Sequence, residues 1–195
     1  MFNRFSPVLR LIAAALGPAG KPVEPGQALL RRAVPGALFL TALDQASKWV
    51  VDRMFESHQD SLEVIPGFFD VCHVVNFGAS WGIFTGWRVT LILFAVVALA
   101  ALAVFHKKIL PPFQPLPSAT LALLLGGITG NLIDRVRTGG VIDFIHLYWR
   151  DWSFPVFNIA DTCITFGLVM YIAGQFVSER AARRVEKNEK PGLQD

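Results

Sequence analysis

Four apolar blocks, each nearly as long as a bilayer is thick, limit what this chain can become. They run roughly Ala33–Val51, Val89–Phe105, Ser118–Ile133 and Asn158–Val177. The second and third carry no charge, the fourth carries only Asp161, and the first is interrupted by Asp44 and Lys48. At the rise of an α-helix, 16 to 20 residues cover about 24–30 Å, close to the hydrocarbon thickness of a membrane. The composition agrees: 53% of the 195 residues are hydrophobic and 17% charged. That balance excludes a disordered chain, a coiled coil and a nucleic-acid binder built on basic runs.

The net charge of +3 is a matter of placement. Twelve Lys and Arg residues fall in 1–32, 106–117 and the tail after Val177, against five in 52–88 plus 134–157. By the positive-inside rule this predicts four transmembrane helices with both termini in the cytoplasm. Residues 1–32 read as a cytoplasmic N-terminal extension, 33–177 as the membrane domain and 178–195 as a cytoplasmic tail. The run Val8–Leu16 has the length of a signal-peptide core, but Arg10 interrupts it. Pro111, Pro112, Pro115 and Pro117 predict a stiff, non-helical loop. About 60–84, β-branched and aromatic residues with Gly and Pro punctuation predict short strands on the outer membrane surface. Cys72 and Cys163 match no metal-ligand or disulfide spacing, and the four histidines show no metal pattern.

Ionisable residues beside apolar blocks are costly, so each needs a reason. Asp44 and Lys48 are four apart on one helix face and read as an ion pair, with a proton or ion relay as the alternative. Asn131 and Asp134 also share a face. With Arg135 they form either a local Asp–Arg pair with an Asn that caps or bonds across helices, or a surface whose guanidinium holds peptide carbonyls or a phosphate. Asp143 lies inside the run Val141–Ile145, where desolvation raises a carboxylate's pKa. Asp161 falls one turn into the fourth helix with Asn158 on the same face. Gly126, Gly127 and Gly130 allow close helix approach. If the third and fourth spans pack antiparallel, Asp143 and Asp161 converge at one depth. Two such carboxylates cannot both ionise easily, and a shared-proton pair can activate water. No other nucleophile set, P-loop or dinucleotide fingerprint competes. From the residues alone, an aspartyl dyad, a proton-coupled transporter and a structural membrane subunit all stay open.

Taken in order, "DQASK" at 44–48, "NFGASWGIF" at 76–84, "GNLIDRVRTGGVIDFI" at 130–145 and "FPVFNIADTCITFG" at 154–167 resemble the lipoprotein signal peptidases, also called signal peptidase II. The resemblance implies an all-α membrane protein of four transmembrane helices with a small extracytoplasmic β-cradle at about 60–84. It implies a hydrolase of the bacterial inner membrane: an aspartic endopeptidase that cuts diacylglyceryl-modified prolipoproteins just before the lipidated cysteine. Asp143 and Asp161 would be catalytic, with Asn76, Arg135, Asn131 and Asn158 holding substrate or orienting the pair. Asp44, Lys48, Asp134 and Gly127 would support them. Lipid-modified prolipoproteins, membrane lipids and globomycin-like inhibitors are the expected partners, with no nucleic acid, metal or other cofactor. Ser80 and Thr162 stand where the family more usually has Ala and Ser.

Overall fold

The computed structural model describes residues 26–55, 61–78, 84–110 and 116–189. Residues 79–83, the run Val8–Leu16, the prolines Pro111, Pro112 and Pro115, and residues 190–195 lie outside them.

Four helices follow the four apolar blocks: α1 (Gly26–Met54), α2 (Arg88–Ile109), α3 (Pro117–Arg137) and α4 (Ile159–Glu189). The stretches Arg88–Ile109, Pro117–Arg137 and Ile159–Arg183 are long and apolar enough to cross a membrane. α1 is longer than α2 or α3 yet falls short on apolarity, because Asp44, Gln45 and Lys48 interrupt its second half. It also begins well before Ala33 and runs through Pro35, which leaves the Arg31 carbonyl without its helical partner. Pro117 opens α3 at a position whose N–H a helix does not need. At the other end of α3 the Thr138 hydroxyl contacts the Asp134 and Gly140 carbonyls, each at 2.9 Å.

The β structure is larger than the 60–84 cradle predicted from sequence. β1 (Ser61–Ile65) and β2 (Phe69–Asn76) fall there, but β3 (Val141–Trp149) and β4 (Trp152–Ser153) come from the segment between α3 and α4. The four strands form an antiparallel sheet in the order β1-β2-β3-β4. The β1–β2 turn uses Gly67 at φ +73°, a conformation that suits glycine. A register shift in β2 between Val71 and Val74 sets Val74 opposite Asp143 and Asn76 opposite Val141. Val51 of α1 packs with Ile142 and Phe144 of β3, fastening the sheet to the helices.

α3 is the hub, packed on α1, α4 and α2. Its glycines make this possible. A Cβ at Gly126 would meet Leu40 Cβ at 2.9 Å, and one at Gly127 would meet Ile164 Cγ1 at 2.8 Å. At Gly130 a Cβ would collide with the Asp44 carboxylate. A second core of Leu29, Ala33, Leu102, Leu121 and Ala122 closes the opposite end of the bundle. Outward, Phe39, Val89, Phe94, Val104, Phe166 and Phe176 are all at least half exposed. In water such a surface would aggregate, whereas a bilayer solvates it.

Candidate active site

The β3 strand and the start of α4 carry the two acids that the sequence singled out. Asn158 sits at the N-terminus of α4, and its Oδ1 accepts the Asp161 N–H at 2.8 Å. Asp161 Oδ2 in return accepts the Asn158 N–H at 3.3 Å. This reciprocal pair is a capping box, formed here by Asn and Asp. Asn158 Nδ2 also donates to Asp143 Oδ1 at 2.6 Å, so one residue bonds both carboxylates.

Further amides complete the arrangement. Asn76 Nδ2 donates to Asp143 Oδ2 at 3.1 Å, and Asn131 Nδ2 to Asp161 Oδ1 at 2.7 Å. Asp143 is 3% exposed. Burial, and after it the neighbouring Asp161 charge, pushes its pKa up to about 7. A carboxyl in that state can hold or release a proton near neutrality.

Both acids line a cavity of about 1010 Å³ between α2, α4 and β2. Asn76, Asn131 and Arg135 line it with them, while Phe94, Ala98, Ile164 and Phe166 supply apolar walls. The chamber therefore joins a polar end able to do acid–base chemistry to an apolar flank that suits hydrocarbon.

Beneath the acids lies a buried charged layer. The Lys48 ammonium reaches Asp44 Oδ2 at 2.9 Å, Asp134 Oδ2 at 2.7 Å and Asn131 Oδ1 at 3.0 Å. The Asp44–Lys48 pair expected from spacing is present, but it is part of this wider network. The local Asp134–Arg135 alternative is not what forms, because Asp134 turns to Lys48. Arg135 instead donates to the carbonyls of Gly78, at 3.1 Å, and Asn131, at 3.3 Å. It ties α3 to the loop after β2.

Two residues were not singled out from sequence. Gln45 Nε2 contacts Asp44 Oδ2, the Gly130 carbonyl and Asp134 Oδ1 at 3.3, 3.2 and 2.9 Å. Its place inside "DQASK" was the available signal. Arg88 opens α2 and donates to the Arg135 and Val136 carbonyls at 2.8 and 2.9 Å, satisfying the end of α3. A lone arginine at a block boundary gives no sequence signal for that.

Residues 36–177 match the family model described as signal peptidase (SPase) II. The lipoprotein signal peptidase of Symbiobacterium thermophilum is 37% identical over 74% of this chain and 93% of that protein. That of Geobacter sulfurreducens is 38% identical over 81% of this chain and 98% of its own length. Two bacterial membrane enzymes solved by the in meso method share the fold. One, at 2.3 Å resolution, has a TM-score of 0.67 and 32% identity over 84% of this chain and 94% of that one. The other, at 1.9 Å, has a TM-score of 0.63 and 35% identity, covering 72% and 90%.

Proposed function

The chain belongs to the signal peptidase II family, and from that premise we propose that it is an aspartic endopeptidase cutting diacylglyceryl-modified prolipoproteins immediately before the lipidated cysteine. The observation that carries this reading is the pair Asp143 and Asp161, bridged by Asn158 at the polar end of one part-apolar cavity.

The ionised member of the pair takes a proton from a water molecule. The water oxygen attacks the scissile carbonyl carbon while the protonated member hydrogen-bonds the carbonyl oxygen. Collapse of the tetrahedral intermediate breaks the C–N bond, and the leaving amine takes up a proton from the pair. Arg135 and Asn76 hold peptide backbone, which supplies orientation. The acyl chains lie along the apolar flank. Chemistry of this kind needs no metal or organic cofactor.

The enzyme sits in the bacterial inner membrane with four spans, both termini cytoplasmic and the sheet on the extracytoplasmic face. The distribution of Lys and Arg supports this orientation. α1 counts as the first span because its charges are satisfied inward by α3 and α4. Globomycin-like inhibitors would occupy the same cavity.

The test is cleavage of a lipid-modified precursor by the purified protein, with and without globomycin. Asp143→Asn and Asp161→Asn should each abolish cleavage while the protein still inserts. Near-normal turnover in either variant overturns the dyad.

A further inference from the structure

The two acids occupy unequal surroundings. Asp143 stands on a strand and takes its side-chain hydrogen bonds from two neutral amides, those of Asn76 and Asn158. Asp161 stands in the first turn of α4, where the helix dipole favours negative charge. Its Oδ2 accepts a backbone N–H. Its Oδ1 accepts from Asn131, and that amide's oxygen accepts in turn from the Lys48 ammonium at 3.0 Å. A cation on the oxygen of an amide polarises it and strengthens its N–H as a donor. Lys48, Asn131 and Asp161 thus form a relay of polarisation from α1 through α3 to α4.

The other charged groups around this relay have partners of their own. Asp44, on α1, bonds Lys48 and the Ala160 N–H. Asp134, on α3, bonds Lys48, Gln45 and the Ile142 N–H. Arg135 is held by the Gly78 and Asn131 carbonyls. Asp143 faces Asp161 from β3.

We propose that Lys48, acting through Asn131, makes Asp161 the ionised base of the pair and leaves the shared proton on Asp143. This rests on the dyad reading above and adds the assignment of roles. Lys48 is in these terms a positioning residue that never touches substrate. It biases the carboxylate that deprotonates water.

The experiment is the pH profile of kcat/KM for the full-length enzyme on a lipid-modified precursor peptide. Its acidic limb reports ionisation of the base in the free enzyme. Lys48→Met removes the cation but leaves two buried acids with no ammonium between them. The double variant Lys48→Met with Asp134→Asn removes one acid as well and keeps the charge balance. Lys48→Arg keeps the cation. The expected result is an acidic limb moved up by roughly one pH unit in the Met variants, with KM little changed and the limb unmoved in Lys48→Arg. A fall in rate at every pH with the limb in place overturns the proposal, because Lys48 is then only structural. An equal shift in Lys48→Arg also overturns it, since charge is not the cause. If Asp143→Asn and Asp161→Asn stay active, it is the dyad itself that has failed.

Discussion

The Asp44 carboxylate accepts the backbone N–H of Ala160 at 2.9 Å, across 116 positions of sequence. A side chain from α1 thus closes the first turn of α4, one residue before Asp161. The same carboxylate pairs with Lys48. Removing it orphans a helix donor and takes one of two carboxylates from a buried ammonium that keeps Asp134. Asp44→Ala should cost roughly 1–3 kcal/mol, read as a fall in the thermal midpoint of the protein in detergent. Asp44→Asn keeps an acceptor for Ala160 and should lose less. Equal losses from the two variants would show that the cap contributes nothing.

Gly127 touches the backbone of Ala160 from the α3 side. A methyl group there meets the Ala160 carbonyl oxygen and Ile164 Cγ1, and the carbonyl cannot move without shifting α4. Gly127→Ala should destabilise by roughly 1–3 kcal/mol and lower cleavage more than abundance. An unchanged thermal midpoint would mean that the two helices part without cost.

Asp143 has its pKa raised to about 7, by burial first and by Asp161 second. In the folded protein this group therefore keeps a proton over a range where the unfolded chain has lost it. Its contribution is fully present at pH below the unfolded carboxyl value and is lost as pH rises toward 7. Asp143→Asn cannot ionise and escapes that loss. The stability of wild type relative to Asp143→Asn should fall between about pH 4 and pH 7, measured as paired unfolding midpoints. Parallel curves would show that Asp143 titrates normally.

Arg135 spans from the Asn131 carbonyl to the Gly78 carbonyl with one planar guanidinium. Lysine has the charge but not the fork. Arg135→Lys should raise KM by roughly tenfold, about one charge-assisted hydrogen bond, with kcat little affected. A fall in kcat at constant KM would place the guanidinium on the reacting atoms instead.

Much of this was legible in the sequence because membranes tolerate few charges. Asp143 and Asp161 stand out among apolar neighbours, and Asn131 and Asp134 meet the same ammonium, as their spacing implies. β3 escaped because its first four residues are all buried. A strand covered on both faces loses the alternation that marks one. Lys48–Asp134 joins residues on two helices, and no local spacing foretells such a partner. The adjacent Arg135 was the nearer candidate in sequence and the wrong one in space. Asn158-x-x-Asp161 has the spacing of a capping box, yet spacing alone does not tell a cap from a pair of inward-facing polar residues.

The box formed by Asn158 and Asp161 has a consequence for how this chain can vary. One side chain both begins a helix and faces the cavity, so its bearing is locked to the first residue of the coil. Inserting a single residue between the two would swing the carboxyl by about 100° and lift it by about 1.5 Å. A surface loop can change length at modest entropic cost. The spacing from Asn158 to Asp161 admits no change of length.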